Sequence, residues 1–408
     1  MKLRTKIPVS KIPTPKRPVV DYLRFVLPWA ANPGDDHTLM FERARRRIQT
    51  EVESGSCENC FAPRFRHRYV IFIPLPGGAK PIVRIGALDP VRQNGGISVE
   101  LNPSKLEQGD VEHFHEVMER IVGRGYVNLL RGAVLSRIDF AVDIVHARLD
   151  RMLISYSGAQ QFTVFGKTVN SKGIIETCNF GSEKSDYITA VYDKNLERRH
   201  RAVTAIAKYG RKNELLTANF IKQLDELHCA PPVVRVEVRG KKLNGLALHD
   251  IGKLTNRFSR FMFADLDAGS STLPLKLETE FISLCRDRGV KAALEHYKRT
   301  LHVRKINAFW RSHRASWWNP EPMMAQASAA LRSSGIFPVE AFDPPAASRR
   351  ESDTKAPQSS KSPATTTAVR SMAGAKIRQM APDLLNPSAK RTPVAPEAPK
   401  RRHVRRIG

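Results

Sequence analysis

Residues 136–143 (SRIDFAVD) alternate polar and apolar positions with a period of two, the pattern of a strand that buries one face. Ile138, Phe140 and Val142 fall on one side, and Arg137, Asp139 and Asp143 on the other. Residues 233–241 (VVRVEVRGK) repeat the device, setting Val234, Val236 and Val238 against Arg235, Glu237 and Arg239. Residues 180–195 (FGSEKSDYITAVYDKN) contain a third strand, YITAVYDK, with Tyr192 and Lys194 two residues apart and so on one face.

Around these segments strand and helix patterns alternate. Residues 21–27 (DYLRFVL) read as a strand and 39–53 as an arginine-rich helix. Residues 69–74, 82–85 and 97–101 read as a meander with Pro-Gly-Gly and Asn-Gly-Gly turns. Apolar residues at 111, 114, 117, 118, 121 and 122 predict a helix, with Asp110 as its N-cap. Further strands are expected at 162–165 and 174–180, a charged helical stretch at 196–227, and helices through Phe263 and from 277 to 304. The order predicts an α+β fold of two similar halves, each an antiparallel sheet backed by helices.

Composition marks the ends of this body. From about residue 344 to 408 the chain is rich in Ala, Ser, Thr, Pro, Lys and Arg and is expected to be a disordered basic tail. Such a tail suits loose, salt-sensitive contact with phosphates, or solubility alone. Residues 1–18 read as a flexible basic arm. The 19–343 body is expected to divide into intimate halves at about 19–130 and 131–343.

Charge sets the class of partner. The 408 residues include 67 Lys and Arg against 40 Asp and Glu, a formal net charge of +27, which calls for a polyanion: nucleic acid or an anionic membrane surface. No run approaches the ~18 apolar residues of a membrane span, and the basic, proline-rich N-terminus lacks the apolar core of a signal peptide. The five cysteines (57, 60, 178, 229 and 285) are sparse and odd in number, as in a reducing compartment. A cytoplasmic nucleic-acid-binding protein with no membrane partner is expected. Cys57 and Cys60 form one CxxC with His67 nearby, but no second ligand pair follows, so a surface loop is expected there and not a structural zinc site.

Strands that carry acids on one face offer hard oxygen ligands for Mg²⁺ or Mn²⁺. Asp139, Asp143 and Glu237 are the candidates, with Asp21 as a fourth. Each acid also sits near an arginine, so an ion pair on a solvated face is the competing reading. Tyr192 is a candidate nucleophile that a cation such as Lys194 would activate, or else a tyrosine packed at the sheet edge.

The ordered set RIDFAVD, FGSEKSDYITAVYDK and RVEVRGK resembles the replication initiation factor family, which contains rolling-circle initiators of filamentous phages and related plasmids. The family pattern matches Arg137, Asp139, Ala141 and Asp143; then Gly181, Ser182, Ser185, Tyr192, Asp193 and Lys194; then Arg235, Val236 and Glu237. Asp21-Tyr22-Leu23 is similar to the opening of the family's first strand, and the resemblance covers roughly residues 20–265. It implies a DNA endonuclease and ligase in which Tyr192 attacks an origin phosphodiester. The product would be a 5′-phosphotyrosine and a 3′-OH primer, with a divalent metal on Asp139 and Glu237, joined by Asp21 or Asp143.

Tyr187 is the rival nucleophile, on the other side of its strand. Arg137, Lys184, Arg235, Arg239 and Lys241 are the expected DNA contacts near the motifs, and the basic stretches 43–47, 198–201 and 253–260 are candidates for reading the origin. Implied partners are origin DNA (double- and single-stranded), a host helicase, a DNA polymerase and a second copy of the chain. Two positions depart from the family, which often has arginines where Glu183 and Ala190 stand.

Two nuclease or motor classes are disfavoured. His113-Phe114-His115 lies in a helical pattern, where residues two apart point ~200° away from each other and do not share a metal. No glycine-rich phosphate loop with Lys-Ser/Thr is present, so unwinding falls to another protein. The alternative from another class is a basic DNA-binding protein without catalysis, for origin binding or transcriptional control.

Overall fold

The alternating segments form strands, and nearly all of them join one sheet. The computed structural model describes residues 12–28, 37–59, 67–87, 96–159, 161–169, 172–209, 214–268 and 271–344. The tail from 345 onward, most of the N-terminal arm, and Cys60 lie outside the described residues. The first half contributes β1 (Thr14–Pro15), β2 (Val19–Leu27), β3 (Glu58–Asn59), β4 (His67–Phe72), β5 (Ile82–Ala87) and β6 (Ile97–Leu101). The second contributes β7 (Val134–Val145), β8 (Met152–Tyr156), β9 (Phe162–Val169), β10 (Lys172–Phe180), β11 (Tyr187–Asp193), β12 (Val233–Gly240), β13 (Leu246–Ala247) and β14 (Phe261–Asp265).

The sheet has 12 strands in the order β3-β4-β5-β6-β2-β7-β12-β11-β10-β9, with β1 and β13 also pairing with β7, while β8 and β14 pair separately. Every pairing is antiparallel. Each half runs outward in the same sense: its first long strand (β2 or β7) neighbours its last (β6 or β12), and the intervening strands follow. The expected α+β fold with two similar halves is therefore present as two wings of one sheet, joined where β2 pairs with β7.

The helices are α1 (His37–Glu53), α2 (Gln108–Val122), α3 (Tyr126–Arg131), α4 (Lys194–Tyr209), α5 (Glu214–Cys229), α6 (Leu275–Arg288), α7 (Val290–Tyr297), α8 (Val303–Ser312) and α9 (Met323–Arg332). Leu23 and Phe25 of β2, Ile138, Phe140 and Val142 of β7, and Val234, Val236 and Val238 of β12 pack with Phe41 and Ile48 of α1, Phe114 and Met118 of α2, and Leu331 of α9. This is the apolar face that the period of two predicts. Each such side chain removed from water contributes about 1.5–3 kcal/mol of transfer free energy. Phe281, Phe309 and Ile306 hold α6 and α8 together in a second cluster.

Three expectations need correction. The helices expected up to Phe263 are β13, short 3₁₀ turns at Leu248–Lys253 and Phe258–Arg260, and then β14. Leu254, Phe258 and Phe261 recur at helical spacing, but Phe261 and Phe263 alternate toward the core because β14 pairs with β8. The 277–304 stretch is three helices, broken first at Gly289, whose φ of 82° suits a residue without a side chain. Asp110 does not cap α2; Glu107 is the N-cap, and the Asp110 carboxylate accepts from the backbone N–H groups of Glu107 (3.2 Å) and Gly77 (2.7 Å). Cys57 lies in the loop between α1 and β3, as expected, but its side chain turns inward and is buried.

Candidate active site on the polar face of the sheet

The register across β7, β12 and β11 stacks the polar face into three rows. Asp143, Arg235 and Tyr192 stand opposite one another in the first, Ala141, Glu237 and Ala190 in the second, and Asp139, Arg239 and Ile188 in the third. Residues directly opposed on antiparallel strands share a face. Glu237 is therefore the centre of the arrangement, with Tyr192 and Asp139 on its two diagonals. The small, fully buried Ala141 and Ala190 flank it. Arg239 reaches Glu237 at 2.8 Å.

Each of the four expected metal acids meets an arginine. Arg137 grips Asp139 through two hydrogen bonds, of 3.0 and 2.5 Å. Arg235 is held bidentately by Asp143 (2.6 and 2.8 Å) and reaches Asp21 at 3.1 Å. Burial pushes the Asp21 carboxyl up, but Arg235 and Lys194 outweigh it and the net shift is downward. Asp139 goes the other way: burial and the nearby Glu237 outweigh the help of Arg137 and raise it. Among the described residues no three His, Cys, Asp or Glu side chains converge as a metal-ligand set. Asp139 and Glu237 nonetheless form a buried pair of acids that feel each other's charge. A pair would suffice for Mg²⁺ where phosphate oxygens and water complete the shell, but Arg137 engages both oxygens of Asp139 and Arg239 holds Glu237, so an ion there would have to displace these arginines. Asp21 and Asp143 instead serve to position Arg235.

The chain leaves β11 directly into α4. Lys194, expected on the strand beside Tyr192, is the first residue of that helix. The Asp193 carboxylate accepts from the Leu196 N–H at 2.9 Å and starts the helix. Lys194, Glu197 and Arg201, at i, i+3 and i+7, then share one side. Glu197 binds Lys194 (2.9 Å) and Arg201, and the Lys194 ammonium lies 5.7 Å from the centre of the Tyr192 ring. A cavity of about 460 Å³ opens here, lined by Tyr192, Glu237, Arg239, Glu197, His200 and Arg201 among others.

Lys105 joins this cluster from the first half. Its turn, Pro103–Lys105, follows β6, and Ser104 there donates to Asp21 at 3.2 Å. Burial and the neighbouring Arg201 and Lys194 depress the Lys105 ammonium. Sequence reasoning did not assign His200, Arg201 or Lys105 to the site. Helical spacing from Lys194 was a usable signal for Arg201; Lys105 had none.

Tyr192 is buried enough to resist ionisation. Burial, then the Glu237 carboxylate, hold its phenol protonated well above the ordinary tyrosine range, and Arg235 only partly offsets them. Neutralising Glu237 is thus the lever on the phenol. In Glu237→Gln the Tyr192 titration is expected to move to lower pH, read as tyrosinate absorbance against a Glu237→Gln/Tyr192→Phe control; an unmoved titration would show that the carboxylate does not act on it.

The remaining candidates lie elsewhere. Tyr187, at the far end of β11 and on its other face, has the Arg257 guanidinium 4.2 Å over its ring, and its phenol is raised by burial. Lys241 donates to the Glu183 carbonyl (2.8 Å) at this same end, and Lys184 is exposed there. Arg137 and Arg239 stay on the acid face, paired with Asp139 and Glu237, while Lys241 and Lys184 lie at the turn that closes this end of β11 and β12. His113 and His115 are helical as expected; His115 bonds Tyr126 Oη (2.8 Å) and the Gly335 carbonyl (2.9 Å). No helix among the described residues is long and apolar enough to cross a membrane.

Comparison with known proteins adds little to this geometry. No protein-family model matches the chain, and neither does any curated protein. Among solved structures it is similar to a rolling circle replication initiator protein from Geobacillus stearothermophilus, with 13% identity and a TM-score of 0.30 over 67% of this chain and 98% of that one. A likeness that slight carries no argument about activity.

Proposed function

We propose that this chain initiates rolling-circle replication by nicking and rejoining origin DNA. The observation that carries the reading is the diagonal Tyr192–Glu237–Asp139 on one sheet face, beside a cavity rimmed by Arg239 and Arg201. The ordered motifs that resemble the replication initiation factor family run through the three strands that build it, the middle one beginning in the turn before β11 and ending at Lys194 of α4.

In the reaction Tyr192 Oη forms a bond to phosphorus and the bond to O3′ breaks. The phenol gives up one proton and O3′ takes one up, leaving a 5′-phosphotyrosine and a 3′-OH. Attack by that hydroxyl in reverse rejoins the strand. On this reading Arg239, Arg201, Lys194 and Lys105 would neutralise the phosphate and so ease loss of the Tyr192 proton. Asp143 and Asp21 hold Arg235 beside the tyrosine. Asp139 and Glu237 would hold Mg²⁺ or Mn²⁺, whose charge would polarise the scissile phosphate.

Purified protein with Mg²⁺ or Mn²⁺ is expected to relax a supercoiled plasmid carrying its origin, and chelation is expected to stop it. Peptide mapping should find the DNA adduct on Tyr192; an adduct on Tyr187 would move the nucleophile. The pairing of all four acids with arginines favours a second reading, a binding protein without catalysis. Origin binding without nicking under both metals would establish it. A helicase, a polymerase and a second copy of the chain belong to the proposal as partners of such an initiator.

A further inference from the structure

The Gly181–Tyr187 turn takes no part in the chemistry above, yet it walls the larger cavity of about 560 Å³. The aromatic rings of Tyr156, Phe180 and Tyr187 form its sides, and the hydroxyl-bearing Ser182 and Ser185 line it. Arg257 also lines it, stacked over Tyr187, and its Nε is buried with no hydrogen-bond partner. Gly181 turns there with φ 102°, and a side chain on Gly158 would strike the Tyr156 ring at 2.8 Å, so both glycines keep the space open.

The rim is cationic. Lys241 and Lys242 are tied to it through the carbonyls of Glu183 (2.8 Å) and Lys184 (2.9 Å), and Lys184 itself is exposed. Glu183 and Asp186 are the acids among them, Asp186 lying 3.7 Å from Lys242. Flat aromatic walls, a guanidinium plane, hydroxyl groups and a lysine rim are the chemistry that takes an unpaired nucleobase and its flanking phosphates.

We infer that this cavity binds a base of single-stranded DNA, stacked on the face of the Arg257 guanidinium turned away from Tyr187, with the adjacent phosphates on Lys184, Lys241 and Lys242. The assignment rests on the reading of the chain as a DNA-processing protein. It gives the strand a second anchor about 17 Å along β11 from Tyr192, on the opposite face of the sheet.

The test compares three probes on the full chain: a dT 20-mer, a 20-mer of abasic spacers with the same phosphates, and dTMP. Stacking of one base is worth ~1–3 kcal/mol, so the dT strand is expected to bind about fivefold or more tighter than the abasic one. Tyr187→Leu and Arg257→Lys, which keep volume or charge, should remove that preference while abasic binding stays within about twofold, an internal check that they fold. Tyr187→Phe should bind as the wild type.

Equal binding of the dT and abasic strands, or a preference that survives both variants, would overturn the inference. So would dTMP displacing the dT strand at equal concentration, which marks a mononucleotide site. Origin nicking is read separately. A base preference without nicking defeats only the nuclease reading, and nicking without a base preference defeats only this pocket.

Discussion

Tyr192→Phe is expected to lower origin nicking by on the order of 10³-fold or more and to abolish the covalent adduct, as loss of a nucleophile does in other covalent enzymes. The reason is local. The phenolic oxygen of Tyr192 lies in the field of Glu237 and Arg235, and the Lys194 ammonium is 5.7 Å from the centre of its ring. Removing that oxygen leaves the ring, which fills the end of the first register row, so the fold and DNA affinity should be retained. Tyr187→Phe is expected to nick normally, because its ring points to the opposite face and into the other cavity. Equal activity of wild type and Tyr192→Phe would remove the nuclease mechanism proposed for this site.

Arg235→Met is expected to destabilise the protein by about 3 kcal/mol, because removing one partner of a buried ion cluster strands the others. Arg235 is 6% exposed and holds both Asp21 and Asp143. Denaturant unfolding of the two proteins measures the loss. The triple variant Asp21→Asn/Asp143→Asn/Arg235→Met should recover much of it, since no stranded charge then remains.

The loss should also depend on pH in a definite direction. The folded Asp21 carboxyl lies below its ordinary value of 3.8, so its contribution is present above that pH and is lost as pH falls through the folded value. The gap between wild type and Arg235→Met should therefore narrow in acid. A gap constant down to the acid limit would show that the Asp21 charge contributes nothing.

The strand faces are legible in the chain because alternation is a local property. Ile138, Phe140 and Val142 cannot share a side with Asp139 in any extended backbone, and they do not. The exclusion of the histidine pair is legible for the same reason, from the helical period of α2. Legibility fails where local spacing is shared by two structures. Leu254, Phe258 and Phe261 satisfy a helical period, yet pairing of β14 with β8 makes the last of them part of a strand. It fails again at Lys194: a strand carried two residues further would place it beside Tyr192, but the Asp193 carboxylate ends the strand and opens α4.

The sequence by itself determined which residue types face together, the excess of positive charge, and the order of three motifs along the chain. Tertiary structure decided which acid meets which arginine, that Glu237 stands between Tyr192 and Asp139, and that the two tyrosines serve different cavities. It also brought Lys105 to the Asp21–Lys194–Arg201 cluster and Arg257 to the Tyr187 cavity from distant segments. The physical reason is register: the alternation within a strand depends on neighbouring residues, whereas the pairing between strands depends on turns, bulges and core packing contributed by the whole chain.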